Sequence, residues 1–165
     1  MMTPGASGSR SAGARRSAPL SAARLVAVQA LYQMDMAGTD VSDVITEFCD
    51  HRMGDVTDSA YCQDADAGFF ADIVRGVVAD QKRIDPLLDE KLAEGWRLPR
   101  IDSILRAILR SAAYELLEHE ATPVKVIINE YVDVAHAFFD GEEPKVVNGI
   151  LDALGQELRK DELEK

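Results

Sequence analysis

A chain of 165 residues fits one domain of ordinary size, and its 47% hydrophobic and 28% charged residues are near the averages for soluble proteins. No apolar run approaches the ~18–20 residues needed to cross a bilayer, and the two cysteines, Cys49 and Cys62, form no CxxC pair. A membrane-spanning chain, a redox dithiol and a zinc knuckle are therefore not expected, and a reducing cytoplasm is the expected setting.

The net charge of −11 is unevenly divided. Ahead of Asp35, the first acidic residue, stand Arg10, Arg15, Arg16 and Arg24. Residues 35–165 hold the other 14 basic and all 29 acidic residues, a net −15. A basic start on an acidic body suggests two electrostatic partners of opposite sign.

Residues 3–19 are Gly, Ser, Ala, Pro, Thr and Arg without one large apolar side chain. Such a segment cannot offset its ordering entropy by burial, so residues 1–20 are expected to form a disordered, arginine-containing arm. Arg15-Arg16 has the look of a twin-arginine export signal, but Arg24 and Gln29 interrupt the apolar region and no small-x-small cleavage pattern follows. The spacing instead predicts an amphipathic helix from an N-cap at Ser21 to about Ala37, with Leu25, Val28, Leu31 and Tyr32 on one face and Arg24 near its exposed first turn. Gly38-Thr39-Asp40 breaks it, and Val41, Val44, Ile45 and Phe48 predict a short second helix.

Residues 54–64 read as a polar loop. Phe69, Phe70, Ile73, Val74, Val77 and Val78 then recur at helical spacing, and Asp85-Pro86 reads as an N-cap and N1 proline opening a further helix to about Gly95. "RIDSILRAILRSAAYELLEHE" carries the widest apolar face. Thr122-Pro123 opens the next helix, with Val124, Ile127, Ile128, Tyr131, Ala135 and Phe138 inward. After "DGEEP" the last helix shows Val147, Ile150, Leu151, Leu154 and Leu158, and residues 159–165 read as a charged tail. About seven helices, no strand alternation and no repeat period predict a compact all-α bundle over residues 21–158.

Catalytic motifs are missing: the sequence has no glycine-rich phosphate loop, HExxH or GxSxG. His119 and His136 read as solvated side chains near helix ends, and Glu142-Glu143 as acids favouring the dipole of the last helix. Cys49, His51 and Cys62 lack a fourth metal ligand nearby. No metal, no cofactor and no enzyme activity are expected.

Four blocks, "VAVQALYQMD", "ILRSAAYELL", "PVKVIINEYVDVA" and "KVVNGILDAL", resemble in order and spacing the NusB family of transcription antitermination factors. The resemblance covers roughly residues 21–155. It implies a bundle of seven helices that binds the boxA element of nascent ribosomal RNA as a single strand, together with the ribosomal protein NusE. It also implies that this pair joins the antitermination complex on RNA polymerase.

The resemblance places RNA contacts in the basic N-terminal segment, here Arg10, Arg15, Arg16 and Arg24. Guanidinium groups suit phosphates because they fork onto two oxygens and stack on bases. Leu20, Ser21 and Ala22 stand where other members can be basic, so the upstream arginines are expected to compensate. A second RNA-proximal part matches "GEEPKVVNG", with Glu142 and Lys145 at the acidic and basic positions, and Val146 where an aromatic can occur. Asn148-Gly149 is expected to serve helix geometry and close packing. Tyr32 matches a tyrosine near the NusE side, or else is a core tyrosine with one polar end. Two further readings stand beside this one. One is an interaction adaptor or homodimer without RNA binding; the other is a stand-alone relative of the helical module that precedes an RNA cytosine methyltransferase domain.

Overall fold

The computed structural model describes residues 8–52, 65–93 and 96–163, with side chains from Ala18 onward except those of His51, Arg52 and Leu163. The side chains of Arg10, Arg15 and Arg16, together with Cys62, the whole of the loop expected at 54–64, and Gly95, lie outside the described residues. Seven α-helices occur among the described residues: α1 (Gly8–Ala37), α2 (Val41–Glu47, continued by a π-helical turn at Phe48–Arg52), α3 (Ala67–Lys91), α4 (Ser103–Glu118), α5 (Val124–Phe138), α6 (Glu143–Leu158) and α7 (Lys160–Leu163). A 3₁₀ turn, Leu98–Arg100, leads into α4, and no strand is present among the described residues.

The expected all-α architecture is present, and α4 is its centre. This helix packs against α1, α3, α5 and α6, so almost every residue from Leu105 to Leu116 is buried. A helix that is apolar nearly all round belongs inside a bundle, and Ala107, Ala112 and Ala113 let its neighbours approach closely. Asp102 starts α4 by accepting from the backbone N–H groups of Ile104 and Leu105 at 2.8 and 3.2 Å. Gly38 ends α1: its φ of +67° is the left-handed conformation glycine adopts without a Cβ penalty, and its N–H donates to Met34 O at 2.9 Å.

Three boundaries differ from expectation. First, α1 does not begin at Ser21 but runs back to Gly8 with Pro19 inside it. Ser21 is no N-cap; its hydroxyl reaches both carboxylate oxygens of Glu130 on α5, at 2.8 and 2.9 Å. Packing of α1 on the body nonetheless starts near the expected point, at Ala22 and Ala23. Second, Asp85-Pro86 opens no new helix, because α3 continues through it. Proline withholds one N–H from the helical ladder, but Ile84 and Leu88 are fully buried on either side and hold the segment in register. Asp85 instead accepts two bonds from Arg110, each 2.8 Å.

Third, residues 159–163 are not a free tail. Arg159 is buried and donates to the carbonyls of Leu116, His119 and Thr122 at 2.6, 2.8 and 3.2 Å, satisfying acceptors left open at the end of α4. Its ion-pair partner Glu162, 2.9 Å away, also accepts from the Val124 N–H at the start of α5. A two-residue device thus ties the end of α4 to the start of α5.

Candidate nucleic-acid interface

The residues expected to meet RNA and a protein partner fall in three places. The basic arm enters through α1 beside the middle of α5, as the Ser21–Glu130 bonds fix. Lys145 and Glu142 lie past the far end of α5, at the start of α6. From Glu130 to Phe138 the α5 axis advances about 12 Å at ~1.5 Å per residue, so the two basic elements are spaced apart along the bundle.

On α6 the geometry is that of an exposed stripe. Glu142 is the N-cap residue and Glu143 the first helical one, the placement expected for acids at a helix N-terminus. Lys145 and Glu142 approach to 3.6 Å, with side chains 83% and 80% exposed. So open a pair is weakly held, leaving the ammonium group free to meet another anion. Asn148 and Gly149 continue the stripe and are also exposed. A Cβ added at Gly149 would meet nothing within 4 Å, so the close packing expected there does not occur. Val146, where an aromatic can stand, packs instead against the core.

Tyr32 is 37% exposed, which removes the core-tyrosine reading. It borders a groove of about 380 Å³ lined mainly by Val28, Met36, Phe48, Ile104 and Phe138. Contributions come from α1, the turn after α2, α4 and α5, so the groove exists only in the folded bundle.

Arg24, expected at an exposed first turn among the RNA contacts, is instead buried. It is 3% exposed, and its Nε and Nη2 each bind a different oxygen of the fully buried Glu115 at 2.8 Å. Its guanidinium also lies 5.0 Å from the Phe69 ring centre and 3.5 Å from Glu130. The expected exposed first turn does not exist, because α1 is covered by α3, α4 and α5. Arg24 is therefore a core residue with no face for phosphate.

Around this pair lies a polar cluster that sequence reasoning missed. Tyr131, itself fully buried, donates its hydroxyl to Glu115. His119, expected to be solvated, lies 2.6 Å from Asp72 and 3.6 Å from Glu115, between the rings of Phe69 and Tyr114. Burial pushes the Glu115 carboxyl up, but the hydrogen bonds and charge of Arg24, the nearby His119 imidazole and the Tyr131 hydroxyl outweigh it and hold it below the usual range. The Glu115 carboxylate beside it raises the His119 imidazole, assisted by Asp72 against the effect of burial. The available signal is Glu115 itself, a carboxylate on the widest apolar face, which demands a buried cation. His136 is exposed, as expected.

No helix among the described residues is long and apolar enough to cross a membrane. The NusB family model matches residues 21–156. A transcription antitermination protein NusB of Bradyrhizobium diazoefficiens is 52% identical over 141 residues, covering 86% of each chain. One from Rhizobium etli is 51% identical over 140 residues, covering 85% of this chain and 88% of its own. Among solved structures, Thermotoga maritima NusB has a TM-score of 0.73 at 29% identity, covering 89% of this chain and 98% of that one. A complex of the antitermination factors NusB and NusE with double-stranded RNA shares the fold, with a TM-score of 0.69 at 22% identity and coverage of 83% and 96%. A family model spanning residues 21–156, and relatives with half the residues retained across most of both lengths, leave one conclusion: the chain belongs to the NusB family of transcription antitermination proteins.

Proposed function

We propose that the protein binds boxA in nascent ribosomal RNA as a single strand, jointly with ribosomal protein NusE, and that this pair enters the antitermination complex on RNA polymerase. The observation that carries the reading is an adjacency. Phe138 lines the Tyr32 groove, and along the chain only the short 139–142 connection separates it from the stripe that begins at Glu142 and Lys145. A protein seated in the groove lies beside RNA held on the stripe, and the two ligands support each other's binding. The net −15 of residues 35–165 favours a basic protein in the groove, and the exposed tyrosine supplies an amphipathic contact there. Arg10, Arg15 and Arg16 bring phosphate-binding charge from the other side.

The test is a thermodynamic cycle: RNA titrated into free and NusE-bound protein, then NusE into free and RNA-bound protein. The same coupling factor must appear both ways, at ~1–3 kcal/mol. Deleting residues 1–19 removes three arginines and flattens the log–log salt dependence of RNA binding by about 2, at ~0.7 per single-strand phosphate. Tyr32→Asp weakens NusE binding and leaves binding of RNA alone unchanged. Independent binding of the two ligands overturns the proposal. Sedimentation showing that a second copy of the chain fills the groove, with no RNA bound, favours the homodimeric adaptor.

A further inference from the structure

Neither the basic arm nor the α6 stripe offers an aromatic ring to stack on a base: no aromatic residue precedes Tyr32, and none lies in residues 142–149. The chain's one tryptophan stands elsewhere, in "GWRLPRID" ahead of α4. Trp96 is 51% exposed, an uncommon position for so large an apolar surface. Arg97 and Arg100, three positions apart across the 3₁₀ turn, are exposed too. Among the described residues neither has an ion pair or a side-chain hydrogen bond, and Trp96 has no ring partner.

The backbone beneath these side chains is fixed from both sides. Leu98 is buried as the anchor, and its N–H donates to Asp89 at 3.1 Å. Arg106 donates to the carbonyls of Leu98, Pro99 and Ile101 at 3.2, 3.2 and 3.3 Å, while it also pairs with Asp35. Trp96 N–H closes onto Ala93 O at 2.9 Å, and Arg100 N–H onto Arg97 O at 2.8 Å. An indole and two guanidinium groups thus stand exposed on a pinned turn, so a ligand has only side chains and no backbone to order there.

We infer that Trp96, Arg97 and Arg100 form a further contact for single-stranded RNA, with a base stacked on the indole and the arginines on the flanking phosphates. Charge selects this occupant. The body carries net −15 and repels a polyanion; two unpaired arginines flanking an aromatic face are what a single strand requires at its point of contact. The inference rests on the RNA-binding reading above and supplies the stacking surface which that reading lacks.

Because the chain has one tryptophan, its emission reports the contact directly. A short single-stranded RNA carrying boxA is titrated into the full-length protein, following tryptophan emission and, separately, the anisotropy of the labelled RNA. Saturable quenching with the same midpoint as the anisotropy change is expected. Trp96→Ala should weaken binding by about 5- to 150-fold, the ~1–3 kcal/mol of one base on one aromatic ring, with Trp96→Phe in between. Arg97→Ala/Arg100→Ala should lower the log–log salt slope by about 1.4, at ~0.7 per phosphate. Both arginines are exposed, so this double variant tests the contact even if a Trp96 variant folds poorly. RNA that binds without quenching, and equally well to the Trp96→Phe and double-arginine variants, overturns this contact alone. No anisotropy change with the unaltered protein overturns the RNA-binding reading and this contact together. Quenching by NusE but not by RNA also overturns it, assigning the turn to protein.

Discussion

Arg24 on α1 and Glu115 on α4, 91 positions apart in sequence, form a two-pronged ion pair in the interior, with both N–O distances 2.8 Å. Tyr131 completes the hydrogen bonding of the carboxylate, and the Phe69 ring covers the guanidinium. Removing one member leaves the other charge buried without a counterion, the costly way to break such a pair. Arg24→Ala should lower unfolding stability by ~3–5 kcal/mol. Arg24→Lys should recover only part of that, because an ammonium group cannot fork onto both oxygens. Replacing both residues by Met should restore much of the loss. Urea unfolding curves check all three. An Arg24→Ala variant of unchanged stability but weaker RNA binding would return Arg24 to the RNA surface.

This pair marks where sequence periodicity stops being informative. The inward faces of α5 and α6 are legible because each is a single stripe: Ile127, Tyr131, Val147, Ile150, Leu151 and Leu154 are all buried as expected. On α1 periodicity is informative only in part: Val28 and Leu31 are buried as expected, but α2, α3, α4 and α5 all pack against this helix, so Ala22, Ala23, Val26 and Ala27 are buried too, outside the stripe of large residues. Pro86 misleads for a different reason. A local rule that starts helices at Asp-Pro loses to the burial of Ile84 and Leu88 on both sides of it. The resemblance singles out Glu142, Lys145 and Tyr32 as candidates in the sequence, but the proposed adjacency of groove and stripe needs the three-dimensional packing of α1 against α5.

His119 gives the fold a pH dependence whose sign is fixed by its partners. Glu115 and Asp72 raise its proton affinity above the ordinary 6.5, so the folded chain holds this proton more tightly than the unfolded one. The stabilisation is complete below about 6.5 and is lost as pH rises through the folded-state value. Glu115 behaves oppositely: its depressed value stabilises above the ordinary 4.5 and that contribution disappears as pH falls. Stability should therefore peak between these two values and decline on the alkaline side with a slope of at most ~1.4 kcal/mol per pH unit. His119→Asn should flatten the alkaline limb while leaving the acid limb in place. Unfolding curves collected across the range from acid to mildly alkaline pH measure both limbs.

Arg159 and Glu162 predict that the C-terminal residues matter to the fold. Ending the chain at Leu158 removes the donor to the α4 carbonyls and the acceptor for Val124 N–H together. Charged hydrogen bonds of this kind contribute ~1.5–3 kcal/mol each where a buried partner is left behind. The truncated protein should unfold at distinctly lower urea, and Arg159→Ala should account for most of the shift. Lys160→Ala, exposed on the same short helix, should leave the curve where it is. Equal stability of the full and truncated chains would show that residues 159–163 are a solvated tail after all.

Three helical glycines separate packing from function. At Gly76 an added Cβ would lie 2.1 Å from the Tyr114 ring, and at Gly155 it would lie 2.8 Å from Val124 Cγ1. Alanine at either site overpacks the core and should cost ~1–3 kcal/mol. Gly149 differs, since nothing in the chain approaches within 4 Å of its added Cβ. A helix gains ~1 kcal/mol when an exposed interior glycine becomes alanine, so Gly149→Ala should raise the thermal midpoint. Gly149 also sits four residues beyond Lys145, on the stripe assigned to RNA. If RNA or its protein partner approaches the backbone there, the methyl group that stabilises the free protein obstructs the complex. Calorimetry and RNA titration, with and without NusE, should then move in opposite directions: a higher midpoint and a weaker complex. A higher midpoint with unchanged affinity for both ligands would remove Gly149 from the interface and leave Lys145 and Glu142 to carry the stripe.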